Sequence, residues 1–175
     1  MKQYWLAVAV AVAGVVSVAQ AQDAAPAATL VFGFEDDAWK AGKFQAENGT
    51  LTIETANATE GTKALALTFD RAGKTDSDRP TVRINKATAF AGAKKVLVDI
   101  NFVGQVAPKT KVRVQFKDAA KASASAEETL TEGKSTIEVD MTACDANSLS
   151  FAKICLDNCK SGKGVLYIDN IRIVR

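Results

Sequence analysis

The feature that most constrains the fold is a two-residue alternation of apolar and polar side chains along most of the chain. Such runs lie at 30–34, 51–53, 65–69, 82–84, 96–102, 112–116, 137–139, 152–156 and 166–173. Alternation at this period indicates strands with one buried face and one solvated face. Turn residues such as Asn48-Gly49 and Gly61 separate the runs. Nine or ten such strands predict an antiparallel β-sandwich of the jelly-roll type.

One segment, 119–128, allows two interpretations. Its alanines favour a helix. The alternation of Ser123 and Ser125 instead favours an edge strand. We favour a loop followed by a strand that ends at Leu130, which would keep the chain all-β.

The first 21 residues have the three parts of a secretory signal peptide. One lysine precedes an apolar stretch of about fifteen residues, and the small-x-small sequence Ala19-Gln20-Ala21 follows it. Because a membrane span needs about twenty apolar residues, cleavage is favoured over an uncleaved anchor. We therefore predict a signal peptide (1–21), a linker (22–28) and one domain (29–175) in a secreted or periplasmic protein, with no membrane span after cleavage.

Composition excludes several kinds of chemistry. The chain has no histidine, so it has no Ser-His or Cys-His catalytic pair and no histidine-ligated zinc. It also lacks a Gly-rich phosphate loop and a G-x-S-x-G elbow. A formal net charge of +2 argues against a nucleic-acid partner. We predict that the protein is not an enzyme.

The cysteines predict one disulfide bond in an oxidising compartment. Cys155 and Cys159 are close enough in sequence to bridge across a tight loop. Cys144 could reach either of them if its loop lies nearby. The odd count leaves one thiol free or intermolecular.

Two terminal motifs resemble a known family. The opening motif is Leu30–Trp39, with Phe-Glu before the tryptophan, and the closing motif is Gly164–Ile173, with Tyr-Ile-Asp-Asn-Ile. Together with 61–67, 135–140 and 151–156, they resemble the β-jelly-roll carbohydrate-binding modules and wider galactose-binding-like domains. The resemblance covers most of residues 29–175 and implies the same fold.

The resemblance also implies a structural calcium ion between the first and last strands. Its ligands would be Glu35 and Asp169, with carbonyl groups from the turn 59–63. Calcium accepts such oxygen ligands in flexible geometry. The alternative is that Glu35 caps a turn and Asp169 is solvated.

A sugar site needs exposed aromatic rings that stack on pyranose faces. The candidates are Trp39, which could instead pack as a lid on the core, and Tyr167, which is out of phase with its apolar neighbours. Alternation also predicts a polar outer face that could bind hydroxyls or an acidic sugar, comprising Arg83, Asp99, Asn101, Arg113 and Gln115. The alternative for that face is a cross-strand salt-bridge ladder.

These observations favour a secreted, non-catalytic module that binds a polysaccharide. The alternative is a structural or protein-interaction β-sandwich of the cell envelope or extracellular space, with an envelope protein as its partner and no sugar affinity. The sequence has few aromatic residues for an exposed sugar-binding surface, and this favours the alternative.

Overall fold

A computed structural model describes residues 27–37, 40, 43–85 and 87–175. Eleven strands occupy these ranges: β1 Thr29–Phe32, β2 Phe44–Glu47, β3 Thr50–Glu54, β4 Ala64–Asp70, β5 Thr81–Ile84, β6 Lys95–Val106, β7 Lys111–Asp118, β8 Ser123–Thr129, β9 Gly133–Asp140, β10 Leu149–Asp157 and β11 Gly162–Val174. A 3-10 turn, Ala87–Phe90, connects β5 to β6. The predicted all-β sandwich is confirmed.

The strands form two antiparallel sheets. In the six-stranded sheet the order is β3-β4-β11-β6-β9, and β1 also pairs with β11. β4 pairs with residues 163–168 of β11, and β1 pairs with residues 171–173. Both strands therefore lie along the same side of β11. The five-stranded sheet has the order β2-β5-β10-β7-β8. The chain crosses between the sheets several times, as in a jelly roll.

The core lies between the sheets and consists of the inward side chains of the alternating runs. Phe90 and Phe116 meet edge to face with ring centroids 5.0 Å apart. Leu65, Ile154 and Leu166 are fully buried. The period-two pattern therefore identified the buried face of most strands, because successive side chains of a strand point to opposite sides. The exception is Leu30, which is 56% exposed because the register of β1 shifts between Leu30 and Phe32.

The structure resolves one ambiguous segment and adds one strand that the pattern did not predict. The ambiguous segment forms β8, in line with the favoured interpretation. Strand β2 was not predicted, because only four residues alternate there. It is held instead by pairing with β5, in which Phe44 lies opposite Ile84.

The predicted disulfide is wrong, because all three cysteines are unpaired and buried. Cys155 lies between the inward residues Ile154 and Leu156, so its side chain points to the outer side of β10. Cys159 follows Asn158, which has a φ of 55°, and packs in the core. The two thiols therefore point to opposite sides of the sheet.

The predicted signal peptide and most of the linker lie outside the described residues. In the part of the chain that the structure describes, no helix has the length and apolarity that crossing a membrane would require.

Candidate functional site

The outer face of the five-stranded sheet carries the candidate site, and we call it the five-strand face. Its outward side chains come from the polar positions of the alternating runs. The charged members are Glu47, Arg83, Lys111, Arg113, Lys117, Glu127, Lys153 and Asp157, and they surround Gln115 and Phe151. Five cations against three carboxylates give this face a positive excess.

One half of the five-strand face is a network of ion pairs. Arg113 Nη2 lies 2.6 Å from Glu127 Oε1 and 2.6 Å from Asp157 Oδ2. Lys111 Nζ and Arg79 Nη1 complete the network, at 2.9 Å from Glu127 and 2.8 Å from Asp157. Hydrogen bonds, first from Lys111 and then from Arg113, lower the pKa of Glu127. This half matches the salt-bridge ladder weighed as an alternative.

The other half centres on the ring of Phe151. The Arg83 guanidinium carbon lies 5.7 Å from the ring centroid, and Lys153 Nζ lies 5.4 Å from it. Both distances fall within the range of cation–π attraction. Lys117 lies directly opposite Phe151 in the register of β7 and β10. Gln115 lies opposite Lys153, so an amide adjoins the cations.

Phe151 is the site residue that the sequence reasoning missed. Among the nine aromatic residues that the structure describes, it is the one that is partly exposed and does not belong to a hydrophobic cluster. A signal was available, since Phe151 is out of phase with Ala152 and Ile154, which face the core. An aromatic ring at an outward position of a strand is a candidate stacking surface.

The structure separates the predicted polar set into two groups. Arg83, Arg113 and Gln115 share the five-strand face, as expected. Asp99 and Asn101 do not, because β6 belongs to the other sheet, where both side chains are buried. The expectation that all five point outward together is therefore wrong, since alternation gives the side of a strand but not the sheet to which the strand belongs.

Asp99 and Asn101 instead have structural partners. Asp99 accepts hydrogen bonds from Thr136 Oγ1 at 2.7 Å, Asn170 Nδ2 at 2.8 Å and Arg172 Nη2 at 2.6 Å. Asn101 Nδ2 donates to the carbonyl oxygen of Asn57 at 3.1 Å. The loop containing Asn57 thus lies over the outer face of the six-stranded sheet and covers part of it.

Of the two predicted aromatic ligands, the structure describes Tyr167, and its ring is buried. Tyr167 is 6% exposed, packs against Ala64 and Ala66, and donates its hydroxyl to Glu54 Oε2 at 3.2 Å. Trp39 lies outside the described residues, so its role stays a prediction.

Glu35 and Asp169 both bind the loop 59–63, an arrangement we call the carboxylate clasp. Asp169 Oδ2 accepts hydrogen bonds from Thr59 N at 2.9 Å, Thr59 Oγ1 at 3.0 Å and Glu60 N at 2.9 Å. Glu35 Oε1 accepts from Thr62 N and Lys63 N, each at 2.8 Å. The loop therefore fastens the segment after β1 to the middle of β11.

Gly61 makes the clasp possible. Its φ is +67°, a conformation that other residues rarely adopt. A Cβ atom added there would lie 2.3 Å from Glu35 Oε1. The loop thus approaches the carboxylate through a residue with no side chain. The amides that follow lower the pKa of Glu35, with the Lys63 N–H as the largest cause.

The donors of the clasp do not fit a calcium ion. Calcium requires oxygen ligands that direct lone pairs toward it, whereas the loop directs N–H and O–H groups at both carboxylates. Among the described residues, no group of three or more Asp, Glu, Cys or His side chains could hold a metal. Calcium binding by Glu35 and Asp169 stays a prediction that a chelator experiment can test.

Apart from the five-strand face, the described residues form a recess of about 1320 Å³ at the end of the six-stranded sheet, near Gly104 and Gly162. Among its described lining residues Arg71 is the one buried cation, and Lys74 and Lys163 are exposed. The Arg71 guanidinium already donates to the carbonyl oxygens of Thr75, Asp78 and Cys159. The recess therefore offers a ligand less recognition chemistry than the five-strand face.

Comparison with solved structures places the fold. One similar chain, from a study of the promiscuous specificity of carbohydrate-binding modules of the β-sandwich superfamily, is 15% identical with a TM-score of 0.60. It matches 81% of this chain, which spans 60% of that one. The CBM28 module specific for non-crystalline cellulose is 16% identical over 86% of this chain and 96% of its own, with a TM-score of 0.59.

The family 11 module of the cellulase Lic26A-Cel5E of Clostridium thermocellum is 12% identical over 86% of this chain and 96% of its own, also with a TM-score of 0.59. No family model matches the chain, and no curated protein matches it. At these identities the likeness establishes the fold, a β-sandwich like that of carbohydrate-binding modules, and leaves the ligand to be argued from the site.

Proposed function

We propose that the protein is a secreted, non-catalytic module that binds glycans on the five-strand face. The single observation that carries the proposal is the partly exposed ring of Phe151 among hydrogen-bonding side chains, on a fold shared with carbohydrate-binding modules. An aromatic ring supports a pyranose by stacking on its C–H face. The surrounding cations and amide then orient the hydroxyl groups.

The neighbouring groups suit this role. Gln115 Nε2 donates to Ser123 Oγ at 3.2 Å, which fixes the amide while its oxygen remains an acceptor. Lys153 lies opposite both Gln115 and Arg83, so the two cations supply donors next to the amide. A sugar hydroxyl both donates and accepts, so a mixture of cations, amides and serines around an apolar ring can bind it.

Non-catalytic binding is supported by the sequence as well as by the site. The chain has no histidine, and each carboxylate of the five-strand face is held in an ion pair. A pair of carboxylates that performs glycoside hydrolysis must instead flank a bound sugar across a gap. Secretion is supported by the leader-like residues 1–21.

The test is affinity electrophoresis of the purified protein through gels that contain single polysaccharides. Phe151→Ala should weaken retardation by up to about tenfold, because stacking of an aromatic ring contributes about 0.5–1.5 kcal/mol beyond its buried area. Val103→Ala is the matched control, because it removes an exposed apolar side chain from the other sheet.

Equal retardation of both variants and the unaltered protein would show that the ring has no part in binding. Failure of every neutral and acidic polysaccharide to retard the protein would defeat the proposal. That result would favour the alternative of a structural or protein-interaction domain.

A further inference from the structure

We propose that the five-strand face selects acidic polysaccharides, with Lys117 and Lys153 binding uronate carboxylates beside a sugar stacked on Phe151. The inference rests on the proposed function and adds the chemical class of the glycan to it. Three properties of the charges around the ring support it.

The first property is the placement of like charges opposite each other. Arg83 and Lys153 are Cα partners in the register of β5 and β10. Directly opposed like charges destabilise a sheet. Both cations also lie over the same ring. Glu47, which is 2.5 Å from Arg83, offsets part of this repulsion, and no carboxylate of the described residues does so on the Lys153 side. A carboxylate bound beside Lys153 would offset the rest, which a neutral hydroxyl cannot do.

The second property is the uneven neutralisation of the face. All three of its carboxylates are within 4 Å of an arginine or lysine, including Glu47, which is 2.5 Å from Arg83. Within the described ranges, no carboxylate lies that close to Lys117 or Lys153. These two lysines are diagonal neighbours on β7 and β10. The unneutralised charge is therefore concentrated at the ring.

The third property is the excess of donors over acceptors. A lysine ammonium has three donors and no acceptor, and a guanidinium has five donors and none. Near Phe151, the uncharged side chains that can accept a hydrogen bond are Gln115 and the serines of β8. Neutral sugars present hydroxyls that need acceptors as well as donors. A uronate presents two carboxylate oxygens that only accept, so it complements this half of the face better.

The test compares one polymer in two charge states. Polygalacturonate and its fully methyl-esterified form share a backbone, but only the first carries carboxylates. Affinity electrophoresis should show retardation by polygalacturonate that weakens as salt rises, because exposed ion pairs are screened. The esterified polymer should retard the protein much less.

Three variants identify the residues involved. The double variant Lys117→Gln with Lys153→Gln should lose about tenfold in affinity for polygalacturonate, the effect of two exposed ion pairs. Lys94→Gln with Lys160→Gln makes the same change of charge on exposed lysines elsewhere and should have no effect. Glu47→Gln removes the carboxylate that pairs with Arg83 and should strengthen binding.

The outcomes separate this inference from the proposed function. Equal binding of both polymers, or binding of neutral glycans alone, overturns the inference and leaves glycan binding intact. Binding of no glycan overturns both. Equal affinity for poly-glutamate of matched charge, or equal losses in the two double variants, would show general attraction of polyanions and would also overturn it.

Discussion

Replacing Asp169 with asparagine removes the charge from the carboxylate clasp and preserves its shape. In the structure, Asp169 Oδ2 accepts three hydrogen bonds from Thr59 and Glu60, and Oδ1 accepts one from Asn170 N at 2.7 Å. Asparagine has a single side-chain oxygen, so its amino group must face one of these sets of donors. The side chain is 1% exposed, and water cannot readily compensate.

The expected cost follows from these contacts. A hydrogen bond to a charged group contributes about 1.5–3 kcal/mol and a neutral one about 0.5–1.5 kcal/mol. Weakening three of them and leaving one donor unpaired gives about 4 kcal/mol. Asp169 lies opposite Asp99 in the register of β11 and β6, so relief of like-charge repulsion returns up to about 1 kcal/mol. We therefore expect a net loss of about 3 kcal/mol.

Thermal and chemical unfolding measure the loss. About 1 kcal/mol shifts the midpoint of a domain of this size by about 2–4 °C, so Asp169→Asn should lower the melting temperature by about 6–12 °C. Asp140→Asn is the control, because Asp140 is exposed and accepts the Thr142 N–H in a local turn. It should cost less than about 1 kcal/mol.

The same assay tests calcium. A cation at a hundredfold excess over its dissociation constant would add about 2.7 kcal/mol of stability, whereas a clasp made of amides predicts equal midpoints with calcium and with chelator. If Asp169→Asn costs no more than Asp140→Asn, the hydrogen bonds of the clasp do not stabilise the fold as expected. If chelator lowers the midpoint of the unaltered protein, the carboxylates bind a cation and not the loop amides alone.

Two further predictions concern the cysteines and Glu127. Without reductant, a thiol reagent should titrate three thiols in denaturant. It should react slowly with the native protein, because burial raises the pKa of Cys144, Cys155 and Cys159. Titration of only one thiol in denaturant would show that a disulfide bond is present. The pKa of Glu127 in the folded protein is lowered by Lys111 and Arg113, so its contribution to stability is present above the ordinary glutamate pKa of about 4.3 and is lost as pH falls through the lowered value. Glu127→Gln should therefore make the loss of stability below about pH 4.3 shallower, measured by denaturant unfolding from pH 6 to 3, and a slope equal to that of the exposed control Glu132→Gln would contradict this.

The fold was predictable from the sequence because a strand's buried face is a local property. Inward residues such as Val98 and Val114 were identified from period two alone, and both are buried. The outward position of Phe151 follows from the same rule, applied to Ala152 and Ile154. What alternation cannot give is the pairing between distant strands, which depends on how the whole sandwich closes.

That limit explains the errors in the candidate site. Asp99 and Arg113 are both outward on their strands, yet they lie on opposite outer surfaces of the sandwich. The loop over Asn101 belongs to neither strand pattern, and its contact joins residues 44 positions apart. The predicted disulfide was wrong for the opposite reason. Cys155 and Cys159 are near in sequence but point to different sides of one sheet.

The pairing of β1 with β11 has a consequence for engineering the domain. Thr29 and Ile173 are Cα partners, so they lie about 5 Å apart. A short linker could join these two positions and new chain ends could be opened at Gly73, around which a side chain would meet nothing within 4 Å. Such a circular permutant would keep every strand pairing of both sheets. It would also move the points of attachment to another part of the surface, so that the module could be fused to a partner in a second orientation.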